Sequence, residues 1–528
     1  MTKQALALLT LGLMALAPRG GAQTLGPEAG FLVTLGRDTL AAERFTRTAT
    51  RLVGELRLRV PAPARVAYDA TVSDAALLPL LRTEMTPPGA QAPIRATVTF
   101  RGDSMHATVE GGGAAPEQRF RPGAGALPYI NLSGAILEQM VLRARAVGAA
   151  RVEIPMLNLL GGQAFPATVS RLATDSVLIL LPPGVEIRAR VDAAGRLLGA
   201  TVPAQNVTIT RVERPVALAP PPPPDYSAPA DAPYTAEEVR VSTPAGHTLA
   251  GTLTLPRQRA GRVPAVVLIS GSGPQDRDET LPMLSGFRPF RQIADTLGRR
   301  GIAVLRLDDR GSGASTGARD SATTADYADD MRAALAYLRT RPEIDPRRLG
   351  LVGHSEGGTI APMVAAQDAA LRALVLLAGT GKPGREILAY QLRQAIEHEP
   401  SLGAAKRDSL LAQVPAQIDS LAAAQRWMRF FVDYDPLPTA RRVTQPVLIL
   451  QGATDRQVTA EQATLLAQAF RAGGNRDVTV RVLPDVNHLF LADPGGSPAG
   501  YAALPNRQVV PEALGTLADW LAARMTDR

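Results

Sequence analysis

Cysteine is absent from this chain of 528 residues. Its absence excludes disulfide bonds, a cysteine nucleophile and thiolate metal sites. Aromatic residues make up only 4% of the chain, so we do not expect the stacking surfaces that bind single-stranded nucleic acid. Lysine is also scarce, and scattered arginines supply most of the formal net charge of +8. Because these arginines form no long basic run, the sequence predicts no nucleic-acid partner.

The remaining composition is that of a globular protein. Hydrophobic residues make up 45% and charged residues 20% of the chain, which is enough apolar material for a sizeable core. At about 100–200 residues per domain, the length predicts two or three domains.

The N-terminus has the features of an export signal. Lys3 precedes an apolar run over residues 5–17, which is too short to span a bilayer, and Gly20, Gly21 and Ala22 are small residues suited to cleavage. We expect residues 1–22 to be a signal peptide cut after Ala22, and the mature protein to be periplasmic or extracellular. An uncleaved anchor or a buried helix is the alternative. No later segment has the length and apolarity of a membrane span, so we expect no integral membrane segment in the mature chain.

A proline-rich linker divides the rest of the chain. Eight prolines lie between residues 215 and 233, a density that excludes helix and central strand. Extended polyproline II structure is expected there. The linker separates an N-terminal domain, residues 23–214, from a C-terminal domain, residues 234–528.

The N-terminal domain has mainly strand patterns. Short β-branched segments predict strands at 57–60, 94–100, 105–109, 176–181 and 184–191, and an amphipathic pattern predicts one helix at 133–146. We therefore expect a separate, mainly antiparallel β domain, either a half-barrel or a sandwich. It contains no recognisable set of catalytic residues, so its role stays open between packing over the lid and mediating a dimer.

The C-terminal domain alternates between strand and helix patterns. Its continuous aliphatic runs are typical of strands buried on both faces of a parallel sheet. This order predicts an α/β domain with a mostly parallel sheet. Apolar residues at helical spacing between 380 and 442 predict a helical lid over the carboxyl edge of that sheet.

One serine lies at the centre of a catalytic motif. Gly353-His354-Ser355-Glu356-Gly357 matches Gly-x-Ser-x-Gly, and it stands between a predicted strand and a predicted helix. A serine in such a turn exposes its hydroxyl, and the flanking glycines let neighbouring backbone pass closely. We therefore expect Ser355 to be the nucleophile of an acyl-transfer reaction.

The C-terminal domain resembles the α/β-hydrolase superfamily. The resemblance is carried by Asp-Pro-Arg-Arg-Leu-Gly-Leu-Val-Gly-His-Ser-Glu-Gly-Gly at 345–358, by Ser-Gly-Ser-Gly-Pro-Gln-Asp-Arg-Asp at 270–278, and by the loop 308–315. These segments are similar to those of bacterial serine esterases related to the dienelactone hydrolases. The resemblance implies an α/β-hydrolase fold and the catalytic order serine, acid, histidine. It does not extend to residues 23–214.

The base and the acid are expected on two later loops. His488 follows a predicted strand, where the superfamily has its base, whereas His398 lies in a charged helical segment. Asp455, in a Gly-x-x-Asp turn directly after a strand, is the expected acid, and Asp485 is the alternative. The acid orients the imidazole and stabilises its protonated form. The predicted triad is therefore Ser355, Asp455 and His488.

The oxyanion of an acyl-transfer intermediate needs two N–H donors. The superfamily positions imply the backbone N–H of Glu356 as one donor, and that of Ser272, with Gly273 next, as the other. The sequence reveals no role for the Glu356 side chain. A Gly-rich loop at 311–317 lacks the spacing of a dinucleotide site, and no cluster of ligands suggests a metal, so no cofactor is expected.

Three functions fit these observations. The leading one is an exported serine hydrolase that cleaves small-molecule carboxylic esters. The alternative is a serine peptidase that uses the same triad on short peptides, and the third is a binding protein on an inactive hydrolase scaffold, which the intact triad disfavours. All the expected catalytic groups follow the linker, so we expect the N-terminal domain to be dispensable for the chemistry and to affect substrate access. A homo-oligomer stays open.

Overall fold

The computed structural model describes residues 28–526 with short gaps. The gaps are residues 37, 60–62, 87–91, 112–116, 160–163, 183–184, 215–223, 259–260, 282–283, 285 and 399–402. The predicted signal peptide and the first half of the predicted linker therefore lie outside the described residues. Two large sheets, one on each side of the linker, organise the described chain.

The N-terminal domain is built on one sheet of fifteen described strands. They are β1 (Glu28–Leu35), β2 (Asp38–Arg47), β3 (Arg51–Leu58), β4 (Ala64–Thr71), β5 (Leu80–Thr86), β6 (Ile94–Arg101), β7 (Ser104–Glu110), β8 (Glu117–Phe120), β9 (Leu127–Tyr129), β10 (Arg151–Asn158), β11 (Ala164–Arg171), β12 (Ser176–Leu181), β13 (Val185–Val191), β14 (Leu197–Val202) and β15 (Val207–Val212). Chain neighbours pair with one another except β8 and β9, which lie at opposite ends of the sheet, and β15 pairs with β1 to join the two halves. All these pairs are antiparallel except β9 with β10.

Among the described residues of this domain there is one α-helix, α1 (Gly134–Val147), which packs against strands from both halves of the sheet. The helix and both halves of the sheet therefore share one hydrophobic core. Ser133 caps the helix by accepting a hydrogen bond from the N–H of Ile136 (3.2 Å). The buried carboxylate of Glu43 accepts a further bond from the N–H of Ala135 (2.9 Å) and so fixes the helix N-terminus to β2.

The N-terminal sheet is much larger than the five predicted strands. Of the strand predicted at 57–60, Arg57 and Leu58 lie in β3, which begins earlier, at Arg51, and ends at Leu58, while residue 60 lies outside the described residues. β5 shows why strands were missed: in Leu-Leu-Arg-Thr-Glu-Met-Thr only Leu81 is buried, so the apolar alternation is too weak to mark a strand. Pairing with β4 and β6, which sequence periodicity does not show, defines it.

The C-terminal domain has an eight-stranded sheet of the expected α/β type. Its strands are β16 (Tyr234–Ser242), β17 (Thr248–Pro256), β18 (Val263–Ile269), β19 (Ala303–Leu307), β20 (Ile344–His354), β21 (Ala373–Leu377), β22 (Val447–Gly452) and β23 (Val478–Leu483). Their order is β16-β17-β19-β18-β20-β21-β22-β23. The pairs β16 with β17 and β17 with β19 are antiparallel, and all the other pairs are parallel. The prediction of a mostly parallel sheet is confirmed.

Helices cover both faces of this sheet and one edge. They are α2 (Pro289–Arg299), α3 (Thr324–Thr340), α4 (Gly357–Ala365), α5 (Gly384–Glu397), α6 (Ala404–Ala424), α7 (Arg426–Asp433), α8 (Leu437–Ala440), α9 (Glu461–Ala472) and α10 (Pro511–Met525). The insertion at 380–442 is helical, as predicted, and α5, α6 and α7 pack on one another as a lid. In the described chain, no helix combines the length and apolarity needed to cross a membrane.

The second half of the predicted linker is attached to the C-terminal domain. The ring of Tyr226 lies under the guanidinium groups of Arg277 and Arg288, which are 4.2 and 5.5 Å from its centroid. Arg288 also donates to the carbonyl of Asp225 (2.6 Å). The described linker residues are thus held by specific contacts beside α2.

Candidate active site

Ser355 occupies the sharp turn between β20 and α4. Its φ of +52° is a left-handed conformation that non-glycine residues rarely adopt, and its N–H donates to the carbonyl of Leu377 (2.8 Å). A Cβ atom at Gly353 would collide with the carbonyl of Gly357, and one at Gly357 would collide with that of Ile269. The turn that exposes the serine therefore requires glycine at both flanking positions.

The three residues predicted as a triad form one hydrogen-bonded row. Nε2 of His488 lies 3.1 Å from Oγ of Ser355, and Nδ1 lies 2.8 Å from Oδ2 of Asp455. The Asp455 and His488 side chains are buried. Because the carboxylate can only accept at Nδ1, the ring presents an unprotonated Nε2 to the serine hydroxyl. The arrangement is suited to removing a proton from Oγ.

Asp455 is held by several hydrogen bonds, and its rival, Asp485, does not bond the base. Oδ1 of Asp455 accepts the N–H groups of Gln457 (2.8 Å) and Val458 (2.9 Å), and Oδ2 accepts Nε2 of Gln451 (2.9 Å). Asp485 is exposed, and its carboxylate has no hydrogen bond to any described residue. The structure thus brings Asp455, and not Asp485, to His488.

Two of the three expected oxyanion donors, Glu356 and Ser272, line the same cavity as Ser355. The N–H groups of Glu356, Ser272 and Gly273 have no acceptor among the described residues. Glu356 and Ser272 line the cavity in front of Ser355, whereas Gly273 does not. This favours Ser272 as the second donor. Gly271, the preceding residue, is already occupied, since its N–H donates to Glu279 (2.6 Å).

Buried charge supports the loop that carries Ser272. Arg277 pairs with Asp308 (3.0 Å), and both side chains are almost fully buried. Asp309 accepts the hydroxyl of Ser270 (2.9 Å) and the N–H of Gln275 (3.3 Å). Burial raises the pKa of Asp309 well above its usual range. These contacts tie the loop to the end of β19 and explain the acidic and basic residues of the family-like segment 270–278.

The Glu356 side chain, which had no predicted role, bonds the lid. Its Oε1 accepts the hydroxyl of Thr324 (2.6 Å) and the indole N–H of Trp427 in α7 (2.8 Å). Trp427 in turn stacks on Phe431, with ring centroids 5.2 Å apart. Glu356, the residue after the nucleophile, therefore links the turn that holds Ser355 to the lid.

Replacing Trp427 by phenylalanine should lower the free energy of unfolding by about 1.5–3 kcal/mol, the range for a hydrogen bond to a charged group. The ring stacking is kept, while the buried carboxylate of Glu356 loses a donor. Trp520→Phe is the matched control, because its N–H donates to the neutral hydroxyl of Thr479 (3.3 Å). Denaturant unfolding measures both losses, and equal losses would contradict this role of Glu356.

A second imidazole, that of His354, links the loop after β18, which carries Ser272 and Glu279, to the loop after β23, which carries His488. Its Nδ1 lies 2.8 Å from Oε1 of Glu279, and its Nε2 lies 3.0 Å from the backbone carbonyl of His488. Both neighbours are acceptors, so the two bonds together require a doubly protonated, cationic ring. The same Glu279 oxygen accepts the N–H of Gly271. Sequence reasoning missed Glu279, whose only signal was its place at the end of the acidic segment 276–279.

The charge on His354 implies that its contribution to protein stability depends on pH. Burial lowers the pKa of His354, whereas the charge and hydrogen bond of Glu279 raise it. The His488 carbonyl and Asp455 raise it further, so that the pKa lies above the ordinary value of 6.5. Stability from the protonated ring is therefore complete below the unfolded-state pKa of about 6.5 and is lost as the pH rises through the raised folded-state value. We expect the melting-temperature gap between the wild type and His354→Gln to shrink as the pH rises.

The exposed His398, which bonds only the carbonyl of Gln394 in its own helix, provides the control. His398→Gln should show no such pH-dependent gap. A gap for His354→Gln that stays constant with pH would show that the ring is not charged in the folded protein.

A cavity of about 870 Å³ opens in front of Ser355. Its lining is mostly apolar and comes from the lid, the 3₁₀ helix Pro498–Ala503 and the N-terminal domain. The main apolar lining residues are Leu35, Leu40, Leu132, Val207, Leu281, Leu284, Phe287, Ile387, Leu388, Trp427, Met428, Phe431, Leu489 and Tyr501. Within the described ranges, no group of three or more His, Asp or Glu side chains is arranged to hold a metal ion.

A strained serine turn, with an acid and a histidine following later strands of a mostly parallel sheet, is the arrangement found in α/β hydrolases. In agreement, residues 286–495 match the family model described as serine aminopeptidase, S33. This match covers less than half of the chain, and the C-terminal domain has the α/β-hydrolase fold that its motifs predicted. A relation to the dienelactone hydrolases is compatible with this match and stays a prediction.

Curated relatives include both esterases and peptidases. The chain is 29% identical over 258 residues to Esterase EstD of Thermotoga maritima, covering 47% of this chain and 60% of that protein. It is 27% identical over 261 residues to the uncharacterized peptidase YuxL of Bacillus subtilis, covering 48% of this chain and 35% of that protein. The chain therefore spans less than two thirds of the length of either relative.

Solved structures with a similar fold include an esterase, Pf2001, of Pyrococcus furiosus, at 17% identity and a TM-score of 0.40. That match covers 58% of this chain and 98% of the esterase. The hypothetical protein PA2218 of Pseudomonas aeruginosa matches at 18% identity and a TM-score of 0.39, covering 56% of this chain and 96% of that protein.

Proposed function

We propose that the protein is an exported serine hydrolase that cleaves carboxylic esters through an acyl-enzyme on Ser355. The observation that carries this proposal is the hydrogen-bonded row of Ser355, His488 and Asp455 at the base of a mostly apolar cavity. An activated hydroxyl, an oriented base and free N–H donors in one place are the parts that acyl transfer needs.

The reaction follows from these positions. Nε2 of His488 takes the proton of Ser355 as Oγ attacks the ester carbonyl carbon, and the N–H groups of Glu356 and Ser272 stabilise the resulting oxyanion. The intermediate collapses, and the alcohol leaves with the proton from His488. Water, deprotonated by His488, then attacks the acyl-enzyme, which releases the carboxylic acid and restores Ser355. Asp455 keeps the imidazole in the required tautomer throughout.

A peptidase with the same triad is the second candidate. An aminopeptidase must bind the substrate's ammonium group, and Oε2 of Glu279 is a buried carboxylate oxygen at the cavity with no partner among the described residues. Against this, the other oxygen of Glu279 already faces the cationic His354. The only other carboxylate that lines the cavity within the described ranges, Glu356, is bonded to Trp427 and Thr324.

Turnover of two chromogenic substrates, one ester and one anilide, distinguishes the esterase from the peptidase. We expect turnover of p-nitrophenyl butyrate and none of alanine p-nitroanilide. Faster turnover of the anilide, abolished by Glu279→Gln, would establish the peptidase instead. If the purified, folded wild type hydrolyses neither compound, the proposal of a catalytic protein is wrong.

Export is a separate part of the proposal. It is supported by the basic, apolar and small-residue segments at 1–22. Expression of the full chain in a bacterial host, followed by N-terminal sequencing, tests it. We expect protein recovered outside the cytoplasm to begin at Gln23, and intact Met1 on cytoplasmic protein would contradict export.

A further inference from the structure

We propose that the N-terminal domain forms one wall of the substrate cavity and makes the enzyme selective for large, neutral, apolar esters. This inference rests on the proposed esterase function and names its substrate class. It also gives a role to the residues that precede the linker.

The wall consists of four apolar side chains at one end of the N-terminal sheet. Leu35 ends β1 and is paired across the sheet with Val207 of β15. Leu40 lies in β2 beyond the β1–β2 turn, and Leu132 lies just before α1. All four line the same cavity as Ser355. One side of the cavity is therefore closed by a domain that contributes no member of the triad.

Contacts between the domains hold the wall against the active site. Ala502 of the C-terminal domain packs on the core of the N-terminal domain. Arg507 donates to the carbonyl of Ala502 (2.8 Å) and lies 4.0 Å from the carboxylate of Asp38, beside the β1–β2 turn. In the same segment, the Tyr501 hydroxyl accepts a hydrogen bond from Gln457 (3.3 Å), two residues after Asp455. The segment 501–507 thus connects the wall to the loop that carries Asp455.

The charge of the cavity points to a neutral substrate. The chain has 57 lysines and arginines, yet none of them is among the described residues that line the cavity. The lining includes two imidazoles, but His488 is the proposed base, and the cationic ring of His354 is already bonded to Glu279 and to the carbonyl of His488. An anionic group of a substrate would lose its hydration there without gaining a partner, which is strongly unfavourable. The cavity also has more apolar than polar lining residues, which favours a hydrocarbon-rich ester.

The size of the cavity points to a large substrate. Its volume of about 870 Å³ lies towards the upper end of the ~300–1,000 Å³ typical of small-molecule sites. A short acyl ester would leave much of this volume, including the N-terminal wall, without contact. The wall therefore contributes binding energy only for substrates long enough to reach it.

A charge placed on the wall tests this inference. Leu132 is only partly buried, so Leu132→Arg can place a guanidinium at the cavity without burying it in the domain core. Three substrates are compared: p-nitrophenyl acetate, p-nitrophenyl decanoate and the mono-p-nitrophenyl ester of decanedioic acid, which matches the decanoate in length but ends in a carboxylate. We expect the wild type to prefer the decanoate over the acidic ester by about tenfold or more.

In Leu132→Arg, kcat/KM should fall about tenfold for the decanoate, rise for the acidic ester and change little for the acetate. Leu172→Arg is the control, because Leu172 is 61% exposed on the same domain and does not line the cavity. It should leave all three values unchanged. Gln205→Trp, at an exposed lining position, should lower the decanoate value relative to the acetate without disturbing the core.

The outcomes separate this inference from the proposed function. An equal fall for all three substrates in Leu132→Arg would show a merely structural role for the domain. No change in either Leu132→Arg or Gln205→Trp would show that the wall does not contact substrate. Failure of the wild type to hydrolyse any of the three esters would instead overturn the proposed esterase activity.

Discussion

Replacing Ser355 by alanine should lower ester hydrolysis by about 10⁴-fold or more, because the other groups of the triad then have no nucleophile to activate. The same variant should lose covalent labelling by a fluorophosphonate. Alanine at this position keeps the left-handed backbone that the turn requires, so the fold and the cavity should be retained. Turnover of p-nitrophenyl butyrate and gel-based labelling measure the two effects.

Ser420, exposed on the lid helix α6, provides the control for this experiment. Ser420→Ala should label and turn over substrate as the wild type does. Labelling that persists in Ser355→Ala on another serine would show that the nucleophile has been assigned wrongly. Matching melting temperatures for the two variants would exclude unfolding as the cause of lost activity.

Replacing Asp455 by asparagine should lower kcat by about 10³–10⁴-fold with little change in the fold. The carbonyl oxygen of asparagine can keep the two backbone N–H bonds from Gln457 and Val458. Its NH₂ group would then face Nδ1 of His488, which reverses the tautomer and places a proton on Nε2. That proton prevents the ring from accepting the one on Ser355.

Asp485→Asn is the matched control, since Asp485 is the exposed acid of the same loop as His488. It should retain nearly full activity. A large loss in Asp485→Asn together with a small loss in Asp455→Asn would reverse the assignment of the acid. Comparing kcat and KM for both variants on one ester decides between the two.

The triad positions were predictable because each has a local signal. Ser355 lies in a motif of five residues, Asp455 follows the buried aliphatic strand β22, and His488 follows the valine-rich strand β23. In the structure these local signals converge at one edge of a single sheet. The fold class of the C-terminal domain was predictable for the same reason, since β18, β21 and β22 are continuous aliphatic runs.

Features that depend on distant pairs were not predictable. Glu279 and His354 are 75 residues apart in the chain, and Glu356 and Trp427 are 71 apart. Nothing in the local sequence of either member reveals its partner. The fifteen-stranded sheet was underestimated for the same reason, because strands such as β5 are defined by pairing with their neighbours and not by their own periodicity.

The two-domain cavity has a consequence for how such an enzyme can diversify. The residues proposed to break the ester all follow the linker, while Leu35, Leu40 and Leu132 precede it. Mutations in the N-terminal domain can therefore alter the range of accepted substrates without changing any of the proposed catalytic residues. Recombination at the proline-rich segment would exchange one substrate-facing wall for another in a single step, and the same junction is the natural crossover point for building chimeric enzymes.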